Sequence, residues 1–186
     1  MTALPPITLA PLTTHQLRER LPEALSIYVA AMNYPQGTAQ QRAPMWTEHM
    51  NRAGWRCVAA LDQRGEMVGI GYGYLGEPRQ WWHEQVHKGL STVLDPLTVT
   101  MWLTGYFELT ELHIRPDAQG RGLGELLLRA LLAEPVPAPR VLLSTPEGPS
   151  RAWRLYRRVG FRELLRDYRF AGDPRLFAVL GRELPM

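Results

Sequence analysis

The sequence predicts an α/β fold with a mixed β-sheet flanked by helices. Two kinds of segment follow one another along the chain. Short runs alternate apolar and polar residues, as at 107–114, and longer runs repeat apolar residues at helical spacing, as at 123–132. The first pattern is typical of strands and the second of helices. Their order, with one extra helix set aside, is β-α-α-β-β-β-α-β-α-β. A chain of 186 residues can bury a core as one compact domain, so we expect a single domain over 1–186.

The N-terminal part of the chain predicts one strand and two helices. Ile7–Leu12 has the character of a strand. Thr14 can cap a helix whose apolar residues continue to about Met32. A second helix is predicted from Thr38 to about Met50, and we expect Pro44 to interrupt it because proline lacks the N–H group of a helical hydrogen bond.

A hairpin and an unusually long connection follow. The hairpin has strands at 56–61 and 67–75, and alternate glycines in the second strand indicate either a close approach of the backbone to a neighbour or a bend. In the connection, at about 76–104, a helix is predicted from Arg79 to about Val93. The remaining elements are predicted in this order: a strand at 107–114, a helix at about 122–133, a strand at 140–144, a helix at 150–158, and strands that begin at 160, 167 and 176.

A glycine-rich turn, Gln119-Gly120-Arg121-Gly122-Leu123-Gly124, lies between the strand at 107–114 and the helix after it. Glycine lets the backbone approach a ligand closely, and the first N–H groups of a helix point outward without partners. The helix dipole adds about half a positive charge there, and Arg121 adds a full charge. The turn therefore predicts a pyrophosphate-binding site.

The spacing of the glycines narrows the choice of ligand. A Walker loop ends in Gly-Lys-Ser/Thr, but the only lysine in the sequence is Lys88. A dinucleotide-binding loop has Gly-x-Gly-x-x-Gly, whereas this turn has Gly-x-Gly-x-Gly. The pattern Gln119-x-x-Gly122-x-Gly124 resembles instead the Gln/Arg-x-x-Gly-x-Gly/Ala signature of the GNAT N-acetyltransferase superfamily.

Two flanking segments strengthen the resemblance. Leu112–Pro116 looks like the end of that family's preceding strand, and Ala152–Phe161 looks like its Ala-x-x-Leu-Tyr-x-x-x-Gly-Phe element. The resemblance is explicit over about residues 107–165, and the order of elements extends it to residue 6. It implies a GNAT-like, mostly antiparallel sheet of about six to seven strands and an acetyl-CoA-dependent N-acetyltransferase that transfers the acetyl group directly in a ternary complex.

The resemblance also implies which residues bind acetyl-CoA. The turn would hold the pyrophosphate. Backbone groups of the preceding strand would pair with the pantetheine arm and polarise the thioester carbonyl. Many relatives have asparagine where this chain has Pro149, so a hydroxyl of Ser150 or Ser144 is expected to take its place. The coenzyme-binding residues expected in this way are Leu112, His113, Ile114, Gln119, Gly120, Arg121, Gly122, Leu123, Gly124 and Ser150.

Three residues are candidates for proton transfer. Tyr156 matches the family tyrosine that is proposed to protonate the coenzyme A thiolate, and a phenol with a pKa near 10 suits that role. Glu108 lies on the same strand face as Leu112, and some GNAT enzymes use a glutamate there to deprotonate the amine. Glu111 lies on the opposite face and is the alternative base. Burial raises the pKa of a carboxyl group toward the range that a base needs.

A second motif points to a different chemistry. His83-Glu84-Gln85-Val86-His87 matches the His-Glu-x-x-His of zinc hydrolases, which needs a third ligand such as Glu108. Glu108, however, belongs to the strand before the glycine-rich turn, so a metal is not expected. We expect instead that Trp81, Trp82 and the two histidines form a lid or a wall of the acceptor pocket. Tyr34, Trp46, Tyr72 and Tyr74 are further candidates for that pocket. A catalytically silent acyl-CoA-binding module is the other alternative.

Composition excludes several classes of protein. The chain is 45% hydrophobic and 21% charged, with a net charge of +3, as in ordinary globular proteins. No apolar run is long enough to cross a membrane. The arginines between 151 and 169 lack the interleaved aromatic residues of a nucleic-acid site, so neither a membrane nor a nucleic acid is expected as a partner. Cys57 is alone, which excludes an internal disulfide, and we expect a bacterial cytoplasmic protein.

The acceptor and the oligomeric state stay open at this point. The expected partners are acetyl-CoA and an amine, either on a protein, such as lysine, or on a small molecule, such as a hydrazine. A homodimer is compatible with the resemblance.

Overall fold

The computed structural model describes residues 5–133 and 135–186, which form seven strands and seven α-helices. The strands make one sheet in the order β1-β2-β3-β4-β5-β7-β6. The pairs β1–β2, β2–β3, β5–β7 and β6–β7 are antiparallel, and β4–β5 is parallel. This mixed, mostly antiparallel sheet with flanking helices confirms the predicted fold class. In chain order the elements are β1 (Thr8–Pro11), α1 (Thr14–Glu19), α2 (Leu21–Met32), α3 (Thr38–His49), β2 (Arg56–Leu61), β3 (Met67–Gly76), α4 (Trp81–Leu90), α5 (Pro96–Leu103), β4 (Tyr106–Ile114), α6 (Leu123–Leu131), β5 (Arg140–Pro146), α7 (Arg151–Arg158), β6 (Arg162–Tyr168) and β7 (Phe177–Glu183).

The chain divides into two compact units. The first comprises residues 1–74 and 110–133, and the second comprises residues 75–109 and 134–186. The prediction of one domain over 1–186 stays a prediction. Within the described residues, no helix is long and apolar enough to cross a membrane.

The first unit has a core rich in aromatic side chains. Its largest fully buried rings are those of Trp46 on α3 and of Tyr72 and Tyr74 on β3. The alternate glycines of β3 allow side chains from β4 to pack against its backbone. A Cβ atom at Gly69 would lie 2.8 Å from Ile114 Cδ1, and one at Gly71 would lie 3.1 Å from Leu112 Cδ1. The predicted close approach at these glycines is confirmed.

The second unit contains β5, β6, β7 and residues 106–109 of β4, with α4 and α5 contributing to its core. Buried residues of this core include Val86 and Leu90 of α4, Trp102 of α5 and Tyr106 of β4. The pairing between β4 and β5 runs from Tyr106–Arg140 to Glu108–Leu142.

Several predicted boundaries were wrong. The first helix begins after a capping box formed by Thr13 and Gln16, so Thr14 is not its cap, and the helical run is divided into α1 and α2 near Pro22. Pro44 lies inside a continuous α3.

The long connection also differs from its prediction. The helix predicted over Arg79–Val93 is shorter, because α4 covers only Trp81–Leu90, and α5 was not predicted. Asp95 caps α5 and Pro96 occupies its first turn. This pair is a helix-start signal that the sequence contains. The segment at 167–170 is not a separate strand, since β6 runs from Arg162 to Tyr168.

Candidate active site

The glycine-rich turn of the first unit leaves the start of α6 open. Gly120 and Gly122 have positive φ angles of 78° and 80°, which favour glycine over any other residue. Gly122 is the N-cap of α6, and no side chain caps the helix there. A Cβ atom added at Gly122 would meet nothing within 4 Å. The first turn of α6 therefore faces space that an anionic group can enter, as a pyrophosphate site requires.

Gln119 holds the turn against β4. Its side-chain Nε2 donates a hydrogen bond to the backbone oxygen of Ile114 at 2.9 Å. A second tie comes from the backbone N–H of Arg115, which donates to Val68 of β3 at 2.8 Å. Part of the reason for a glutamine at this position is thus structural, and a direct contact of its side chain with coenzyme stays a prediction.

The charges near the start of α6 favour an anion. Arg121 is exposed beside the open helix end. Glu125 carries a negative charge in the first turn, but it forms an i,i+4 ion pair with Arg129 at 3.0 Å. That pairing offsets the repulsion that an unpaired carboxylate would exert on a phosphate.

A histidine and a glutamate meet on the C-terminal half of β4, which belongs to the first unit. Glu111 Oε2 and His113 Nε2 form a short hydrogen bond, and their side chains are only 12% and 10% exposed. The ring of Tyr28, on α2, meets the His113 ring edge-on at a centroid distance of 5.1 Å. The sequence predicts a role for the backbone of His113 and a separate one for the Glu111 carboxylate. Their i,i+2 spacing on a strand is the signal that could have joined them.

Further aromatic residues extend from Tyr28. Tyr34 lies 5.4 Å from it and Trp46 lies 5.6 Å from it, ring centroid to ring centroid. Trp46 contacts Tyr72 at 5.0 Å, and the Tyr72 hydroxyl bonds His49 Nδ1 at 2.8 Å. Burial lowers the pKa of His49 to about 4, so this histidine is neutral near pH 7. The Tyr74 ring lies 5.1 Å from that of His49. All four aromatic residues named as further candidates for the acceptor pocket, Tyr34, Trp46, Tyr72 and Tyr74, therefore belong to one connected cluster.

An open cavity of about 610 Å³ lies beside this cluster, between α2 and α3. Its wall includes Ser26, Asn33, Tyr34 and Gln40, and none of the described residues that line it is charged. Tyr34 is shared between the cavity and the aromatic cluster.

The two predicted proton-transfer residues Glu108 and Tyr156 lie in the second unit. Glu108 is 3% exposed on β4, where it pairs in register with Leu142 of β5. Tyr156 is 6% exposed on α7, and its ring packs edge-on against Phe161 at 5.3 Å. Both are buried polar residues, and their catalytic roles stay predictions.

The two serines considered as replacements for asparagine both have structural partners. Ser150 is the N-cap of α7, where its Oγ accepts a hydrogen bond from Trp153 N at 3.2 Å. Ser144 Oγ accepts one from Trp82 Nε1 at 3.0 Å. A capping hydroxyl retains its own proton for donation, so a contact of Ser150 with the coenzyme remains a prediction.

The His-Glu-x-x-His motif lies on α4, and its parts have separate partners. His83 is buried, and its ring stacks on that of Tyr106 at a centroid distance of 5.8 Å. His83 Nδ1 also forms a hydrogen bond with the Tyr106 hydroxyl at 3.0 Å. Burial lowers the pKa of His83. Glu84 accepts a hydrogen bond from Arg79 N, and His87 is exposed. Within residues 5–133 and 135–186, no group of three His, Cys, Asp or Glu side chains is placed to hold a metal ion.

Comparison with known proteins identifies the family. The sequence model of the acetyltransferase (GNAT) domain matches residues 54–163. A GCN5-like protein acetyltransferase of Mycobacterium tuberculosis is 49% identical over 205 aligned residues, which cover 97% of this chain and 99% of the relative. The chain belongs to the GNAT acetyltransferase family. It is an acetyl-CoA-dependent acetyltransferase, as the two sequence motifs predicted. This assignment replaces the two alternatives, a zinc hydrolase and a catalytically silent acyl-CoA-binding module.

Solved structures of two other acetyltransferases share the fold. The ribosomal-protein-S18-alanine N-acetyltransferase of Escherichia coli has a TM-score of 0.63 at 20% identity, with 97% of this chain and 96% of that one covered. A GNAT superfamily phosphinothricin acetyltransferase from Sinorhizobium meliloti, in complex with AcCoA, has a TM-score of 0.62 at 18% identity, with 96% and 88% covered. At these identities the likeness shows the fold alone.

Proposed function

We propose that this GNAT acetyltransferase moves an acetyl group from acetyl-CoA to a primary amine of a protein, such as a lysine side chain. The observation that carries the protein acceptor is the 49% identity, over nearly the full length of both chains, to a relative described as a protein acetyltransferase. Direct transfer in a ternary complex accounts for the reaction without a covalent enzyme intermediate. In support, Cys57 is buried and burial raises the pKa of its thiol, which makes it a poor nucleophile.

In this proposal the first unit binds the coenzyme. The open start of α6 after Gly122 takes the pyrophosphate, and Arg121 adds charge to that site. Backbone groups of Leu112, His113 and Ile114 pair with the pantetheine arm, and a backbone N–H polarises the thioester carbonyl. Gln119 keeps the turn in place through its bond to Ile114.

The chemistry requires one proton to leave the amine and one to reach the departing thiolate. The amine nitrogen forms a bond to the thioester carbon as the carbon–sulfur bond breaks, and free coenzyme A and an amide result. Tyr156 is proposed to donate a proton to the thiolate. Glu108 is the base that the family resemblance suggests, with Glu111 on the other face of β4 as its rival.

A small-molecule amine is the second candidate acceptor. The observation that favours it is the cavity of about 610 Å³ between α2 and α3, whose size is within the range of small-molecule sites. Ser26, Asn33 and Gln40 in its lining offer hydrogen-bonding groups to a polar ligand.

The location and the assembly of the enzyme are also proposals. A single buried cysteine supports a cytoplasmic location, because the chain carries no disulfide that an oxidising compartment would maintain. A homodimer is proposed from the family resemblance, and light scattering on the purified protein tests it.

Isothermal titration of the purified protein with acetyl-CoA tests the coenzyme site, and a free-thiol assay over lysine peptides and small amines tests the acceptor. We expect micromolar binding and a higher kcat/KM for lysine peptides than for the small amines. Absence of acetyl-CoA binding would contradict the coenzyme assignment. Turnover of small amines alone would replace the protein acceptor with the second candidate.

A further inference from the structure

The side chains of Glu111 and His113 form a hydrogen-bonded pair that has no role in the function proposed so far. They project from the same face of β4, two residues apart, and are joined through Glu111 Oε2 and His113 Nε2. With 12% and 10% of their side chains exposed, both are mostly buried and still reachable from solvent. A buried carboxylate–imidazole pair at the end of a strand is costly unless its charges and hydrogen bonds are satisfied, so its presence calls for a chemical account.

The hydrogen bond determines which nitrogen of His113 can accept a proton. An ionised carboxylate can only accept, so Nε2 of a neutral His113 must carry the hydrogen. The lone pair of the ring is then on Nδ1. Nδ1 forms no hydrogen bond to any residue within 5–133 and 135–186. Glu111 thus fixes the tautomer that leaves Nδ1 able to act as a base, and it stabilises the imidazolium that results.

The surroundings of His113 suit an incoming ammonium group. The centroid of the Tyr28 ring lies 5.1 Å from that of His113, and the ring of Tyr34 packs against Tyr28. The π-faces of these rings and the Glu111 carboxylate attract a cation. Burial first, and then the Glu111 charge, raise the pKa of Tyr28, so this tyrosine stays protonated and does not compete as a base. Arg42 is the cation that acts on Tyr28 from α3. Tyr34 also lines the cavity between α2 and α3, so the cavity and the ring of Tyr28 share this neighbour.

We propose that Nδ1 of His113 takes the proton from the acceptor amine and that Glu111 is its positioning residue. This inference rests on the proposed function, in which the acetyl thioester lies along Leu112–Ile114 of the same strand. The ammonium gives one proton to Nδ1, and the freed lone pair forms the bond to the thioester carbon. As the carbon–sulfur bond breaks, the nitrogen loses its second proton and the thiolate takes one from the proposed acid Tyr156. The second amine proton replaces the one that Tyr156 gives up, and the imidazolium returns its proton to solvent.

Glu108 is the competing base, and it lies on the opposite face of β4. The two assignments differ in which substitution removes the dependence of the rate on pH. The variants are therefore His113→Gln, Glu111→Gln and Glu108→Gln. His15→Gln is the matched control, since His15 and Glu19 form a second histidine–glutamate pair, at 3.2 Å, whose side chains are 80% and 64% exposed on α1.

The kinetic test measures kcat, KM for a lysine peptide and the pH profile of kcat/KM, with acetyl-CoA affinity measured by titration. His113→Gln is expected to lower kcat about 100-fold or more, as loss of a general base does, and to remove the acidic limb of the profile. Its acetyl-CoA affinity should stay within about twofold of wild type. Glu111→Gln should lower kcat less than His113→Gln does, and it should shift the acidic limb of the kcat/KM profile to a different pH. His15→Gln should match wild type in every parameter.

Two further readouts do not depend on the His113→Gln variant folding well. Nitrogen NMR of the wild-type imidazoles should show His113 as the Nε2–H tautomer, and Glu111→Gln should lose that preference. In His113→Ala, added imidazole should restore part of the rate on the peptide. An Nδ1–H tautomer in the wild type would overturn the proposal, as would failure of rescue in a folded His113→Ala.

The outcomes separate this inference from the proposed function. If wild type acetylates the peptide while His113→Gln keeps its rate and pH profile, the base assignment is overturned and the function stands. If only Glu108→Gln removes the acidic limb, Glu108 is the base instead. Wild-type protein that binds acetyl-CoA but acetylates no amine would overturn both.

Discussion

Single residues control whether a phosphate can reach the start of α6. Gly122 combines a φ angle of 80°, an N-cap position without a capping side chain, and open space where a Cβ atom would lie. Glycine serves two purposes here, since it accepts the left-handed conformation and leaves the helix end uncovered. The two effects can be separated, because other glycines of the same unit have a left-handed conformation but do not lie at the start of a helix.

Gly122→Val should weaken acetyl-CoA binding at least about 10-fold, because a side chain would shield the N–H groups that contact the pyrophosphate and each charged hydrogen bond is worth about 1.5–3 kcal/mol. The matched control is Gly65→Val. Gly65 has a φ of 77° and equally open surroundings but lies in the β2–β3 turn. Both variants should lose about 1–2 kcal/mol of stability through backbone strain. Titration calorimetry measures the binding, and equal affinity in the two variants would contradict the pyrophosphate assignment.

Tyr156→Phe should slow turnover about 100-fold while leaving acetyl-CoA affinity nearly unchanged, because it removes the proton that the thiolate needs. The ring and its packing on Phe161 are retained. Tyr168→Phe is the control, since it deletes another hydroxyl of the second unit, one that donates to Gln85 O at 2.7 Å. Stopped-flow measurement of thiol release compares them. Wild-type turnover in Tyr156→Phe would remove its acid role.

At the scale of secondary-structure elements, α4 shows how packing overrides a sequence motif. Its His-Glu-x-x-His residues contact Tyr106 and the backbone of Arg79. The same helix packs closely on β6, where a Cβ atom at Gly89 would lie 2.6 Å from Leu165 Cδ2 and 2.9 Å from Tyr168 Cε2. A glycine that is unfavourable for a helix thus allows this close contact.

Gly89→Ala should therefore destabilise the protein by about 1 kcal/mol, although alanine favours helices by a similar amount. The clash with the rigid Tyr168 ring must be relieved by moving α4 or β6. Lys88→Ala, the neighbouring exposed position, should change the free energy of unfolding by less than about 0.5 kcal/mol. Urea denaturation compares the three proteins. A Gly89→Ala protein more stable than wild type would contradict the close packing.

For the whole molecule, buried histidines make stability depend on pH. The pKa of His49 is about 4 in the folded state, whereas an unfolded histidine has a pKa of about 6.5. The unfolded chain therefore binds the proton first, and the free energy of unfolding falls as the pH drops from about 6.5 to about 4. The loss from His49 is about 3 kcal/mol, and His83, whose pKa burial also lowers, acts in the same direction.

His49→Gln should reduce this acid-induced loss by more than half, at the cost of about 1 kcal/mol at pH 7 for the altered bond to Tyr72. His87→Gln, a change at an exposed histidine of α4, should keep the wild-type curve. Thermal unfolding at pH 4.5 and pH 7 measures both. An unaltered pH dependence in His49→Gln would show that His49 is not buried in its neutral form.

Much of the fold and of the coenzyme turn could be predicted from local sequence. The spacing of apolar residues, which differs between strands and helices, located most elements, and the glycine pattern located the turn before α6. Boundaries were wrong where a local signal was overlooked, as at Asp95-Pro96, or where packing outweighs a propensity, as at Pro44 within α3. The order of strands in the sheet could not be deduced from periodicity, which reports the faces of an element and not its neighbours.

The sequence by itself determined the family, the α/β class and the open glycine turn, because these depend on motifs and periods that lie within short stretches of chain. Only the tertiary structure decided which side chains meet. It joined Glu111 and His113 to Tyr28 of α2, more than 80 residues away in the chain, and it gave His83 a tyrosine as its partner. Contacts between distant residues arise from how elements pack, and no local pattern encodes them.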